Sequence, residues 1–264
     1  MARPVRKVSP RKVSPKADRP PLAGRVALVT GGARRIGREI VLALAAAGAD
    51  VAIHAHTGEA AARDLARRVV ALGGRAVVLR GDLSDAATCE ALPGQVVRAL
   101  GRLDVLVNNA AVFEATDPRT PDAAAWDRMF AVNARAVHLV STAAARALER
   151  SRGTIVNVAC ASAASPWAGF LAYSASKAAV VSLTRGMAKA LAPRVRVNAV
   201  APGPVLRAPG TSAARDRSAR AATALGRWGR PEDVAEAVLF LAARAPFVTG
   251  VVLPVDGGRH LFGG

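Results

Sequence analysis

Tyr173 and Lys177 are the side chains of this sequence best suited to proton transfer. They lie four residues apart at the start of a predicted helix, so the phenol and the ammonium group share one helix face. A phenol with a pKa of about 10 is a poor acid–base catalyst at neutral pH. A cation about 5 Å away, at an effective dielectric constant of about 20, favours the phenolate by roughly 3 kcal/mol, or about two pKa units. We therefore expect the pair to act as a proton donor beside a hydride donor.

A glycine-rich turn, Thr-Gly-Gly-Ala-Arg-Arg-Ile-Gly at 30–37, lies between the first predicted strand and the first predicted helix. Its glycines allow backbone N–H groups to approach a pyrophosphate at the positive end of the helix. The second strand ends at His54 and His56, with no carboxylate to hold a ribose 2′-hydroxyl. Arg34 and Arg35 lie inside the turn, and guanidinium groups suit a 2′-phosphate. The sequence therefore predicts NADP(H) as cofactor.

Apolar, β-branched segments alternate with helical ones along the chain. We expect strands at 25–30, 51–56, 76–80, 103–108, 154–159, 195–200 and 251–255. We expect helices from the glycine-rich turn to residue 47, between the third and fourth strands, and at 59–71, 122–150, 172–191 and 231–243. Near-continuous apolar strands that alternate with helices form parallel sheets covered on both faces. The prediction is one doubly wound Rossmann fold of class α/β over 22–264, with a seven-stranded parallel sheet and helices on both faces.

Composition bounds the function further. The 264 residues are 52% apolar, and no apolar run reaches the roughly 18 residues that a membrane span needs. The net charge is +18, and residues 1–21 hold seven basic residues, five prolines and a repeat of Arg-Lys-Val-Ser-Pro, so we expect a disordered basic tail there. Aromatic residues are only 4%, so nucleic-acid binding is not expected. Two cysteines without a secretory signal predict a cytoplasmic protein, and no metal-ligand spacing occurs.

Several short motifs follow one another in a fixed order. They are the turn at 30–37, Asp82-Leu83, Asn108-Asn109-Ala110-Ala111, Asn133, Tyr173 with Lys177, Asn198 to Pro202-Gly203, and Asp256-Gly257-Gly258. In this order the motifs resemble those of the short-chain dehydrogenase/reductase family, over about residues 23–258. The resemblance implies a nicotinamide cofactor and a small-molecule substrate. It also implies a homotetramer, because the helices expected at 122–150 and 172–191 form a four-helix dimer seam in that family.

The resemblance implies a role for each motif residue. Tyr173 would be the general acid, Lys177 would lower the pKa of its phenol and bind the nicotinamide ribose, and Asn133 would support a water-mediated proton relay. Cys160 stands where the family has a serine that orients the substrate carbonyl. Residues 204–229 would form a mobile substrate lid. The implied cofactor contacts are Gly31, Arg34, Arg35, Ile36, Gly37, His54, His56, Asp82, Leu83, Asn109, Ala110, Tyr173, Lys177, Pro202, Gly203 and Val205. Among these, Asp82 would meet the adenine and the Val205 backbone the carboxamide.

Three details are similar to pteridine reductases within the family. Arg35 replaces the middle glycine of the turn, His54 and His56 end the second strand, and Phe113 matches the aromatic residue that stacks a pterin. Cys160 departs from that subgroup, which has an aspartate there.

The identity of the substrate stays open, and so does the polar group that contacts it after the strand predicted at 154–159. Phe113, Trp167 and Phe170 are candidates for an aromatic substrate pocket, while Trp167 and Phe170 fit core or interface packing equally well. One function is NADPH-dependent reduction of a C=O or C=N bond, including that of a pteridine. A second is a dehydrogenase for 3-oxoacyl thioesters or alcohols, and a third is a non-catalytic NADP-binding regulator. The spacing of Tyr173 and Lys177 disfavours enoyl reduction, and Ser162 is an alternative to Cys160 as the polar group near the substrate.

Overall fold

The computed structural model describes residues 19–120, 122–207 and 212–262. Seven strands form one fully parallel sheet in the order β3-β2-β1-β4-β5-β6-β7. The strands are β1 Val26–Val29, β2 Asp50–Ala55, β3 Ala76–Arg80, β4 Val105–Asn108, β5 Thr154–Val158, β6 Arg196–Pro202 and β7 Val252–Val255. The sequence prediction of a doubly wound α/β domain with seven parallel strands is confirmed.

Burial explains why the strand segments are apolar on both sides. Every residue of β1, β4 and β5 is buried, whereas the edge strands β3 and β7 are only partly covered. A central parallel strand has helices against both faces, so alternation of polar and apolar residues disappears there.

Helices cover both faces of the sheet. They are α1 Arg35–Ala46, α2 Glu59–Ala71, α3 Ala86–Leu100, α4 Ala123–Phe130, α5 Ala136–Ser151, α6 Leu171–Ala190, α7 Ala213–Ala221 and α8 Pro231–Leu239. One core contains buried side chains of α1, α2 and α8, and the other contains those of α3 and α5. Among the described residues, no helix is long and apolar enough to span a membrane.

Two predicted helices are interrupted in the structure. The helix expected at 122–150 is α4 and α5 with a π-helical turn, Ala131–Arg135, between them. The helix expected at 231–243 is α8 followed by a second π-helical turn, Phe240–Arg244. An Ala-rich sequence carries no signal for the extra residue that such a turn inserts.

The structure adds detail to the predicted lid and to the predicted tail. Helix α7 lies inside the lid at 204–229, where no helix is predicted. Of the predicted tail at 1–21, residues 1–18 lie outside the described residues. The last three lead into a turn at 21–24, in which the Ala23 N–H donates to the Pro20 carbonyl at 2.9 Å and Leu22 is buried.

The chain direction places the functional motifs at one edge of the sheet. Strand β1 lies between β2 and β4, so the connections from β1 and from β4 leave toward opposite faces and open a crevice beyond the carboxyl ends of the strands. The glycine-rich turn and the segments after β4, β5 and β6 all begin at that edge.

Candidate active site

The glycine-rich turn at 30–37 is shaped by two close backbone approaches. Gly31 has a left-handed φ of +61°, and a Cβ added to it would lie 2.9 Å from Cα of Ala110. A Cβ added to Gly37 would meet the carbonyl oxygen of Gly31. Because any side chain at these two positions would collide with backbone, only glycine allows the turn to close onto the start of α1. The positive end of α1 is thereby left open to an anion.

Thr30 and Asn109 fasten this turn to the end of β4. The Thr30 hydroxyl accepts hydrogen bonds from the backbone N–H groups of Asn109 at 2.9 Å and Ala110 at 3.1 Å. The Asn109 amide donates to the carbonyls of Thr30 at 2.9 Å and Gly31 at 3.0 Å. Sequence reasoning missed Thr30, although its place directly before the glycines was the available signal. The predicted contacts Gly31, Asn109 and Ala110 therefore lie together.

His54 lies beneath the turn, not at its surface. The Gly31 N–H donates to Nδ1 of His54 at 3.2 Å, so Nε2 carries the proton and donates to the Gly81 carbonyl at 3.1 Å. The ring is 1% exposed, and burial lowers the pKa of His54. Both ring nitrogens are thus used within the protein. The sequence prediction made His54 a cofactor contact, whereas the structure makes it a support that holds the turn in place.

Arg34 and Arg35 are both exposed at the crevice. The Arg34 guanidinium lies against Gly58, the residue before α2, where a Cβ on Gly58 would be 2.6 Å from Nη2. Arg35 has a φ of +54°, a left-handed conformation that favours glycine. The first acidic residue after β2, Glu59, is already paired with two other arginines, Arg63 at its own helix and Arg80 of β3.

His56 and Asp82 face each other across the ends of β2 and β3. Nε2 of His56 is 3.9 Å from the Asp82 carboxylate, and both side chains are about half exposed. The Ser84 N–H donates to Asp82 at 2.8 Å and lowers the pKa of that carboxyl. Leu83, the next predicted contact, is buried. These residues therefore lie at the carboxyl ends of β2 and β3, the edge of the sheet at which the crevice opens.

Tyr173 and Lys177 come together on α6, next to the end of β5. Both side chains are buried, and Nζ of Lys177 lies 5.8 Å from the centroid of the Tyr173 ring. Nζ donates a hydrogen bond to the Val158 carbonyl at 2.8 Å. The structure thus confirms that the i,i+4 spacing places the two groups on one helix face.

The pKa values of this pair move differently from the sequence expectation. Burial raises the pKa of Tyr173 well above 10, and the hydrogen-bonded Cys160 thiol raises it further. Burial lowers the pKa of Lys177 to about 8. The expected lowering of the Tyr173 pKa rests on the attraction between phenolate and ammonium. Desolvation of both charged forms is the larger effect in this buried pair.

Cys160 touches the Tyr173 phenol, and Ser162 lies two residues further along the chain. The Cys160 sulfur accepts a hydrogen bond from the Ser162 N–H at 3.4 Å and contacts the Tyr173 phenol. The Ser162 hydroxyl is fully buried and makes no hydrogen bond with any of the residues that the structure describes. The contact with the phenol favours Cys160 over Ser162 as the group beside the substrate.

Asn133 lies in the π-helical turn between α4 and α5 and is fully buried. Its amide exchanges two hydrogen bonds with the backbone of Val112, at 2.8 and 2.9 Å, and donates to the Ser176 hydroxyl at 3.0 Å. The side chain therefore joins the segment after β4 to α6, one residue before Lys177. Its role in a proton relay stays a prediction, and the structure adds that it positions the catalytic helix.

Three aromatic side chains form a cluster beside the Tyr173 ring. Phe113 stacks on Phe170 at 4.5 Å between centroids and meets the Tyr173 ring edge-on at 4.7 Å. Trp167 lies 6.5 Å from Tyr173 and 6.4 Å from Phe113. Phe113 is 53% exposed, so the cluster opens to solvent on one side. The three residues predicted as a substrate pocket are thus brought together at Tyr173.

The remaining predicted contacts lie at the end of β6. Pro202 ends that strand, and Gly203 packs so closely on Asp256 that an added Cβ would be 2.6 Å from Cβ of that residue. Val205 is buried and lines a cavity of about 230 Å³ between the predicted lid and the end of β7. Ile36, in the first turn of α1, is half-buried. No group of three or more metal-ligating side chains occurs within the described ranges.

These features define a class. A closed glycine turn before the positive end of α1, two arginines exposed at the crevice and the crevice itself fit a phosphorylated dinucleotide. A buried Tyr–Lys pair beside an aromatic cluster fits proton transfer to a substrate. Together they describe a nucleotide-dependent oxidoreductase.

Comparisons with known proteins identify the family. Residues 31–260 match a family model described as enoyl-(acyl carrier protein) reductase. The chain is 41% identical over 249 residues to cis-4-hydroxycyclohexanecarboxylate dehydrogenase of Sinomonas cyclohexanicum, covering 89% of this chain and 96% of the relative. It is 34% identical over 248 residues to 3-oxoacyl-(acyl-carrier-protein) reductase of Synechocystis, covering 91% and 99%. A short-chain dehydrogenase structure from Burkholderia cenocepacia in complex with NADP matches with a TM-score of 0.86 at 38% identity, covering 92% and 100%. The chain belongs to the short-chain dehydrogenase/reductase family of oxidoreductases.

Proposed function

We propose that the protein interconverts an alcohol and a carbonyl compound with NADP(H) as cofactor. The observation that carries this proposal is the Tyr173–Lys177 pair, which is buried beside the aromatic cluster at the same sheet edge as the glycine-rich turn. The relative in complex with NADP supports the choice of cofactor. Arg34 and Arg35 would hold the 2′-phosphate, since neither has a carboxylate partner within the described part of the chain.

The residues at the site divide the reduction between them. NADPH held at the crevice would supply the hydride for the carbonyl carbon. Tyr173 donates its phenolic proton to the carbonyl oxygen, and Cys160 directs its S–H toward that oxygen. Lys177 holds a positive charge within 5.8 Å of the ring that becomes a phenolate. The aromatic cluster would form an apolar wall beside the reacting carbon.

The relatives favour carbonyl chemistry over other reductions. One is named for a cyclic hydroxy acid and one for a 3-oxoacyl thioester, and both compounds carry a C–OH or C=O at the reacting carbon. The description of the matched family as enoyl reductase concerns a C=C bond, which the Tyr173–Lys177 spacing disfavours. Pteridine reduction is a second candidate that Phe113 supports, because its ring lies 4.7 Å from that of Tyr173.

Cofactor preference is tested by binding. We expect the dissociation constant for NADPH to be at least tenfold lower than that for NADH, because two guanidinium groups would pair with the 2′-phosphate. The double substitution of Arg34 and Arg35 by glutamine should abolish the preference. Arg38→Gln, three residues further along α1 at a residue already paired with Glu39, is the matched control and should retain it. Equal affinity for both cofactors in the unmodified protein contradicts the proposal.

Catalysis is tested with the only tyrosine of the chain. Tyr173→Phe should reduce turnover by two to four orders of magnitude, on the scale of about 10²–10⁴ for general acid catalysis, while NADPH affinity stays unchanged. A panel of cyclic ketones, 3-oxoacyl thioesters and an oxidised pterin, each with NADPH, identifies the substrate class. Undiminished turnover by the variant shows that another group donates the proton. Turnover of the pterin alone favours the second candidate.

We also propose a cytoplasmic homotetramer. The two cysteines are free thiols, which suits a reducing compartment. An open groove of about 380 Å³ on α6, lined by Val181, Arg185 and Lys189 among others, gives a surface for a second copy of that helix. Light scattering of the purified protein checks the mass, and a monomer at micromolar concentration contradicts the assembly.

A further inference from the structure

Arg259 places a positive charge beside Trp167 of the aromatic cluster. It begins a short 3-10 helix, Arg259–Phe262, that follows β7. Its guanidinium carbon lies 5.9 Å from the centroid of the Trp167 ring, a cation–π contact. The Trp167 ring in turn lies 6.5 Å from that of Tyr173. The separation between the guanidinium and the phenol ring therefore cannot exceed the sum of these two distances.

The turn that carries Arg259 is held in place by Asp256. This buried carboxylate accepts hydrogen bonds from the backbone N–H groups of Gly258 and His260, each at 2.9 Å, and also contacts the His260 ring. The Leu225 N–H donates to the Gly257 carbonyl at 3.1 Å, so the turn is joined to the lid segment. Because Asp256 uses both oxygens on this turn and on His260, it does not neutralise the arginine.

Arg259 differs from three arginines of the lid segment, each of which lies beside a carboxylate. Arg207 and Arg220 are paired with Asp216, and Arg227 lies 3.5 Å from Asp233. Arg259 has no carboxylate partner among residues 19–120, 122–207 and 212–262, and it is half-buried against an indole. A guanidinium in this setting is less hydrated than one in solvent and keeps all its donors for an anion.

We propose that Arg259 binds the anionic group of the substrate, and that the enzyme acts on oxo acids or hydroxy acids. A six-membered ring between the carboxylate and the reacting carbon fits within the upper limit that the two centroid distances set. This inference rests on the proposed alcohol–carbonyl chemistry for the position of the reacting carbon. The aromatic cluster would hold the apolar middle of the molecule between Tyr173 and Arg259. A neutral ketone of the same shape would lack the second anchor.

Binding of an unreactive acid tests the proposal without turnover. Cyclohexanecarboxylate and its neutral analogue cyclohexanecarboxamide are titrated by calorimetry into the full-length protein with NADP⁺. We expect the carboxylate to bind about tenfold more tightly than the amide, as for a hydrogen-bonded charge pair. Arg259→Gln should remove this preference, Arg259→Lys should keep part of it, and Arg98→Gln, an exposed arginine on α3, should leave it unchanged.

Turnover separates this inference from the proposed function. With NADPH, 4-oxocyclohexanecarboxylate is compared with its methyl ester, and Arg259→Gln should lower kcat/KM for the acid about tenfold while that for the ester stays constant. Absence of turnover with both compounds counts against the proposed function, whereas the calorimetric preference still decides the role of Arg259. Undetectable binding of the carboxylate, equal binding of acid and amide, or a preference that survives in Arg259→Gln overturns the inference.

Discussion

Burial of the charged Lys177 side chain lowers the free energy of unfolding of the protein. Burial lowers its pKa from 10.5 to about 8, so the folded protein binds this proton less tightly than the unfolded chain does. At about 1.36 kcal/mol per pKa unit, the difference is about 3 kcal/mol at neutral pH. Replacing Lys177 by methionine removes this penalty but also the hydrogen bond to Val158, which contributes about 1 kcal/mol. We predict that Lys177→Met raises the free energy of unfolding by about 2 kcal/mol, while turnover is lost.

The assay is thermal or urea unfolding of the cofactor-free protein at several pH values. A gain of about 2 kcal/mol corresponds to a rise in Tm of about 4–8 °C for a domain of this size. The pH dependence gives the sign check. Below about pH 8 the gain is complete, because the unfolded chain and the folded protein both carry the proton. Between pH 8 and 10.5 the folded protein has already released it, so the gain shrinks as pH rises.

Arg98→Met is the control for the prediction about Lys177. Arg98 is an exposed cation on α3, so its replacement should produce no pH-dependent gain. A Lys177→Met protein that is no more stable at pH 7, or whose advantage stays constant up to pH 10, refutes the reasoning. Either result would mean that burial of the Lys177 ammonium does not cost the free energy that its lowered pKa implies.

Three further predictions concern the turn and the strand end. Arg35→Gly should stabilise the protein by about 1 kcal/mol, because glycine adopts the left-handed φ of +54° without strain, and urea unfolding measures this gain. The same substitution should weaken NADPH binding, which titration of the cofactor measures. Cys160→Ser should raise the turnover of a ketone about tenfold, because a hydroxyl is a stronger hydrogen-bond donor to the substrate oxygen than a thiol. If turnover is lost only in Ser162→Ala, Ser162 is that donor instead. Because burial lowers the pKa of His54, stability should fall as pH drops below about 6.5, and His54→Gln should reduce this acid sensitivity in urea unfolding at pH 7 and pH 5.

The sheet was predictable because its information is local. Each central strand is a short run of apolar and β-branched residues that is buried on both faces, and helices with one apolar face alternate with these runs. For β3 the predicted bounds match the observed Ala76–Arg80, and β6 extends two residues further, to Pro202. Strand order depends on pairing between distant segments, so it does not follow from this local pattern and was not predicted.

What the sequence does not contain is the identity of long-range hydrogen-bond partners. His54 ends a strand, and only the fold shows that Gly31 and Gly81 close over its two nitrogens. Asn133 is similar, because its amide bonds join segments 21 and 43 residues away. Arg259 has no local signal at all, since the chain places it far from Trp167. Side chains of these types are ambiguous until tertiary structure supplies their contacts.

The high pKa of Tyr173 has a consequence for the direction of the reaction. A phenol whose pKa is raised by burial is fully protonated at neutral pH, as a general acid must be when it serves carbonyl reduction. Alcohol oxidation needs the phenolate instead, and Lys177, with a pKa of about 8, provides its positive charge only below that pH. Oxidised nicotinamide carries a positive ring, and reduced nicotinamide does not. The proton affinity of Tyr173 should therefore follow the redox state of the cofactor, falling when NADP⁺ is bound and remaining high with NADPH, so that one residue serves both directions.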